Sequence, residues 1–163
     1  MPVRLSTTVS KISLVPNSTN ASLLDGLYAF MKSTSASESH CNNTLKTAIA
    51  FAHFIGPDQS FFDIRTKDKI TDFLDKKIKD NFSDPDKRWI TTWNDNLGDL
   101  KYLFRWLHNH KIKIDQNTEP ISDPSEWETP PFAQIRKKKT KRLSPYGENE
   151  IWELDELLTI IKY

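Results

Sequence analysis

Residues 89–110, "WITTWNDNLGDLKYLFRWLHNH", constrain the fold more than any other stretch of this chain. At roughly 100° per residue, Trp89, Trp93, Leu97, Leu100, Phe104 and Leu107 fall within one arc of about 80°, and Ile90 and Leu103 widen it. An apolar stripe of that period and length is a helix, and it needs other helices to cover it. Five Trp, four Tyr and nine Phe supply the material for a core, while only four glycines argue for helix over strand.

Three earlier segments carry the same period. In "NASLLDGLYAFMKS", Leu23, Leu27, Phe30 and Met31 share a face, with Asn20 or Ser22 as N-cap. In "NNTLKTAIAFAHFIGP", Leu45, Ile49, Ala52 and Ile55 do so, and Gly56-Pro57 ends the helix. In "TKDKITDFLDKKIKD", Thr66 is the expected cap and Ile70, Phe73, Leu74 and Ile78 the stripe. Phe61, Phe62 and Ile64 are expected to pack beneath its first turn. The long fourth helix is expected to open at Ser83 or Asp84, with Pro85 in its first turn. The reading is therefore an all-α bundle of four helices over residues 17–112.

The flanks read differently. Residues 1–16 are Ser/Thr-rich and weakly patterned, which suggests a flexible tail. Residues 113–145 lose periodicity, contain several prolines and read as a linker. Residues 146–163, "GENEIWELDELLTIIKY" after the tyrosine, give one further helix with Leu157, Leu158 and Ile161 on its apolar side.

Charge is concentrated rather than abundant. Residues 136–142, "RKKKTKR", hold six basic side chains and no acid; residues 1–135 carry 16 basic and 17 acidic, and residues 143–163 one basic and five acidic. A dense cationic run is what a polyanion feels. The fourth helix adds to it. Opposite its apolar stripe, Lys87, Thr91, Asn94, Gly98, Lys101 and Arg105 share an arc of about 80° without a carboxylate. Asp95 and Asp99 are placed away from that arc, beside Arg88. Asn43, Lys46, Thr47 and His53 similarly share one side of the second helix. Basic and amide groups with a threonine, and a glycine allowing close approach, suit a nucleic-acid backbone. The plainer reading of each face is a solvated surface whose charges happen to segregate.

Other chemistry finds little footing. One cysteine, Cys41, permits no internal disulfide framework and fits a cytoplasmic setting. No apolar run approaches the length of a membrane span, and residues 1–18 lack a signal-peptide core. His40 and Cys41 are adjacent but too few for a metal site. His108-Asn109-His110 ends a helix, where histidine suits the negative dipole end, rather than forming a nuclease unit. Phosphate-binding glycine loops are absent. Neither a cofactor nor a metal is expected.

"TLKTAIAFAHFI", "FFDIRTKDKITDFLDKKI" and "WITTWNDNLGDLKYLFRWLHNH" together resemble the core-binding, SAM-like domain of tyrosine recombinases, the phage-integrase family, and most of all archaeal integrases. "WETPPF…KKKTKRLSPYGENEIWELDELLTIIKY" resembles their interdomain linker and the first catalytic-domain helix. The likeness spans about residues 20–163 and rests on the order and spacing of five segments. It implies a four-helix bundle forming half of a clamp on double-stranded DNA, with its second and fourth helices toward the major groove. Thr44, which opens the Thr-x-x-x pattern of the second helix, joins the candidate set; Ala48 departs from the aromatic residue common at that point.

The DNA-binding residues expected on these grounds are Thr44, Lys46, Thr47, Lys87, Thr91, Asn94, Lys101 and Arg105, with Arg136, Lys137, Lys138, Lys139, Lys141 and Arg142 as a phosphate-tracking strap. The family's catalytic set (an arginine, a lysine, a His-x-x-Arg pair, a further histidine or tryptophan, and the nucleophilic tyrosine) is expected downstream of residue 163. Tyr163 matches the end of a helix and not the nucleophile. The expectation is a DNA-binding module of an integration and recombination system, truncated or split from its catalytic half, with no enzyme activity of its own. The alternative is a helical interaction module that binds a full-length integrase, or a second copy, through the last helix without touching DNA.

Overall fold

The computed structural model describes residues 4–109, 131–132 and 135–139. Among them the chain is all-helical: α1 Leu5–Ser10, α2 Ser18–Ser33, α3 Glu38–Ile55, α4 Asp68–Asp75 and α5 Trp89–Asn109, with 3-10 turns at Lys11–Leu14 and Phe61–Asp63. α2 to α5 correspond to the four segments read from the sequence. None of the described helices is long and apolar enough to cross a membrane.

α3 is the central helix, packing on α1, α2, α4 and α5. Its Leu45, Phe51 and Ala52 are wholly buried. Phe51 sits at the hub of an aromatic cluster, with ring centroids 5.3 Å from Phe73, 6.1 Å from Phe104 and 6.2 Å from Phe61. Edge-to-face and offset contacts at these separations add to the area each ring buries. The expected stripe of α5 is buried along its length, with Trp89 left half-buried at its start. Gly56 ends α3 with φ at 81°, a left-handed conformation that glycine adopts without a Cβ clash.

Several sequence expectations give way to tertiary structure. Residues 5–14 are not a flexible tail. They form α1 and a 3-10 turn, bury Ile12, lead into buried Val15, and are tied to α3 by the Thr8 hydroxyl, which donates to Asn42 Oδ1 at 2.6 Å. α2 begins at Ser18, so its cap is Asn17, whose side chain accepts from the Asn20 amide. Asn20 is instead fully buried: its Nδ2 donates to Gln59 O at 3.0 Å and its Oδ1 accepts from Phe61 N at 2.8 Å. A buried amide satisfied on both sides fixes the loop after α3 against α2.

α3 starts at Glu38 with Ser37 as cap, several residues before its apolar stripe. Thr66 does not cap α4, whose N-cap position is Lys67 without a side-chain bond, and α4 ends at Asp75, leaving Ile78 46% exposed. Phe61, Phe62 and Ile64 are buried as expected. α5 starts later than Ser83 or Asp84, at Trp89, yet Asp84 still serves it: its Oδ2 accepts from Trp89 N at 2.8 Å.

Candidate nucleic-acid interface

α3 and α5 pack side by side and leave an open groove on one side of their contact. Lys46 and Asn43 line it from α3; Asn94, Asp95, Asp99 and Arg105 line it from α5. This is the side on which the sequence placed the amide and basic groups, but it is not free of acid. Asp95 and Asp99 belong to the groove and are not turned away beside Arg88, which pairs with Asp86 at 3.2 Å. The helix wheel sets directions around one axis; the crossing of α3 over α5 decides which of them the groove collects.

Asp99 explains two of the predicted contacts. Thr44 and Thr47 are both buried, and their hydroxyls donate to Asp99 Oδ1 at 3.3 Å and Oδ2 at 2.7 Å. They bind α3 to α5: Thr44 is fully buried and offers nothing to a ligand, while Thr47, 7% exposed, lines the groove with its hydroxyl turned to Asp99. Burial raises the Asp99 carboxyl above its ordinary value, while the bonds from Thr47 and Thr44 and the nearby His40 act in the opposite sense. His40 itself stands edge-on to Tyr102, with centroids 4.9 Å apart.

Part of the segment read as a linker is seated on α5. Asn94 Nδ2 donates to Lys138 O at 2.9 Å, and its Oδ1 accepts from Lys138 N at 2.8 Å. Two turns further on, Lys101 Nζ donates to Ile135 O at 2.8 Å. Ile135 is buried, the Lys138 ammonium lies 4.8 Å from the centre of the Trp93 ring, and Arg105 lies 5.6 Å from that of Phe132. Asn94 and Lys101 are seven residues apart, roughly 10.5 Å along a helix. Ile135 and Lys138 are three apart, roughly 10 Å along an extended chain. The strap thus runs antiparallel to α5, in register with it.

Asn94 and Lys101 were both expected to contact DNA, and the structure gives each of them a structural task as well. Asn94 commits both of its side-chain polar atoms to Lys138, and Lys101 one of its three N–H donors to Ile135. Burial, then repulsion from Arg105 and Lys137, lowers the Lys101 pKa from its ordinary value. Lys138 is likewise half-buried over tryptophan rather than displayed. Arg136, Lys137 and Lys139 are exposed, as are Arg105, Gly98 and Thr91; Lys46 is half-buried at the groove wall. Lys87 is exposed but precedes α5 with φ at 51°, so the helix wheel does not place it. His53 lies with Lys46 along a second, apolar hollow lined by Leu14 and Ile49. Lys141, Arg142 and the expected helix over 146–163 lie outside the described residues.

Sequence reading missed the anchors of the strap. Their signal was present: Phe132 and Ile135 are apolar residues set immediately before a basic run, where a solvated linker needs none. No family model, curated protein or solved structure matches the chain.

Proposed function

We propose that this chain is a double-stranded-DNA-binding module of the kind that forms the core-binding half of a tyrosine-recombinase clamp, acting in the cytoplasm and without cleavage chemistry of its own. One observation supports the reading above others. The strap is held to α5 by its backbone, which leaves Arg136, Lys137 and Lys139 exposed, with Lys137 lining the same groove as Arg105. Cations carried on a seated strand lose less freedom on meeting a phosphate row than the same residues on a loose tail. The all-α architecture, with its second and fourth long helices walling the groove, agrees with the resemblance of the sequence.

The test is a titration of the full chain against duplex DNA at several salt concentrations. Contacts from Arg105, Arg136, Lys137 and Lys139 give a slope of log affinity on log salt of roughly −3.6. Absence of duplex binding at low salt overturns the reading and favours the alternative, a helical module that binds an integrase. A suicide DNA substrate should trap no covalent adduct; a trapped phosphotyrosyl link would assign the chain catalysis.

A further inference from the structure

A second cationic surface lies at the N-terminal end of α5, built from residues the sequence reading did not assign. Lys76, Lys77 and Lys79 follow α4, Arg88 precedes α5, and together with Thr92 they line one hollow whose acidic member is Asp84. Thr92 also lines the α3–α5 groove, so the two concavities share a wall.

Three acids of this region accept local hydrogen bonds, Asp84 from within the fold and Asp75 and Asp80 at the surface. Asp84, 9% exposed, accepts from Trp89 N. Asp75 accepts from Trp93 Nε1 at 3.1 Å, and Asp80 from the Ser83 amide and hydroxyl. Asp86 alone meets a cation: among the described residues the one ion pair is Arg88–Asp86, with side chains 83% and 63% exposed. An exposed pair of this kind is weak, and a guanidinium with five N–H donors can add a phosphate without leaving its carboxylate. Lys76 and Lys77, which line the hollow, rest their ammonium groups over the rings of Phe54 and Phe73.

We infer that Lys79 and Arg88, backed by Lys76 and Lys77, form a second phosphodiester-backbone contact for the same nucleic acid, continuous with the α5 groove across Thr92. The inference rests on the DNA-binding reading and extends it. Arg88 and Arg105 are 17 residues apart, roughly 25 Å along a helix. That is close to seven nucleotide steps, so one duplex reaches both ends. Arg88, placed by the sequence beside Asp95 and Asp99 and away from the basic arc of α5, becomes a contact residue.

The experiment compares the full chain with its Lys79→Gln/Arg88→Gln variant on one duplex over a range of salt. Two lost contacts lower the salt slope by about 1.8 and weaken binding to all sequences alike. The Lys79→Arg/Arg88→Lys variant should restore most of the slope. Lys79→Gln alone, exposed and outside any helix, should lower it by about 0.9 if the double variant folds poorly. An unchanged slope in a chain that binds duplex overturns the hollow and leaves the α5 reading standing. A wild-type chain that binds no duplex overturns both. Phe82, 98% exposed in the same loop, supplies the third outcome. Binding to phosphatidylserine vesicles in preference to duplex, lost in Phe82→Ala, would make the surface a membrane contact and overturn the proposal.

Discussion

The Asn94 side chain holds the Lys138 main chain at two points, donating to its carbonyl and accepting from its amide. An extended chain crossing a helix has no partner for its backbone groups unless a side chain offers a donor and an acceptor together. A carboxamide does so, and neither aspartate nor leucine of similar size does. Asn94→Ala should therefore release the strap. The expected cost is about 1–3 kcal/mol for two part-buried hydrogen bonds, read in denaturant unfolding. The Lys138 amide should lose its hydrogen-exchange protection. Retained protection would show that the remaining contacts, from buried Ile135, Lys101 and the Trp93 ring, seat the strap without Asn94.

Arg105 is exposed on the groove, with its guanidinium over Phe132, and is the best candidate on α5 for a base edge. Arg105→Ala should cost roughly 1–3 kcal/mol at a preferred DNA site and much less on random duplex. Alanine at Arg136, Lys137 and Lys139 should instead weaken all sequences equally and flatten the salt slope. Equal losses on both DNAs for Arg105→Ala would reduce it to another phosphate contact.

Gly98 lies within α5, exposed, and a Cβ built there meets nothing within 4 Å. Glycine in mid-helix sacrifices about 0.5–1 kcal/mol relative to alanine. Gly98→Ala should thus stabilise the protein by up to about 1 kcal/mol. If DNA approaches the helix closely at this point, the same change should reduce affinity. A variant both more stable and equally avid would move the DNA away from the middle of α5.

Asp99 makes stability depend on pH. Its carboxyl is raised above the ordinary value of 3.8 by burial. A raised acid favours the folded state while protonated, and that advantage fades as pH climbs from the ordinary value through the folded one. At neutral pH the ionised group therefore opposes folding. Asp99→Asn retains an oxygen to accept from Thr47 or Thr44 and removes the charge. Its unfolding midpoint should exceed wild type at pH 7, with the difference shrinking as pH falls into the carboxylate range. A difference of constant size across that range would assign the effect to packing.

Much of the scaffold was legible from spacing alone. Leu45, Ile49 and Ala52 announced α3, Trp93 to Leu107 announced the core side of α5, and Gly56 marked a helix end. What escaped was decided by distant partners. Ile12 and Val15 have too short a pattern to declare a helix, and they acquire order only against α3. Asn20 looked like a cap because caps and buried asparagines are the same residue type. The site was legible as a side of α5 but not as a set of free groups. Nothing near Asn94 or Lys101 reveals that a segment about forty residues later will occupy them, and nothing near Asp99 reveals that Thr44 and Thr47 will turn inward to it.

The spacing of the two grips on the strap has a consequence for how this surface can vary. Among the described residues, the side chains of Asn94 and Lys101 bond to main-chain atoms of Lys138 and Ile135. The intervening Arg136 and Lys137 are exposed, so their identities are open to change without loosening the seat. Their number is not. One residue inserted or deleted between the grips moves an extended chain by about 3.4 Å, a full hydrogen bond's length, so only one grip can hold at a time. The strap therefore behaves as a ruler with interchangeable markings: its chemistry toward a partner can be rewritten freely, its length cannot.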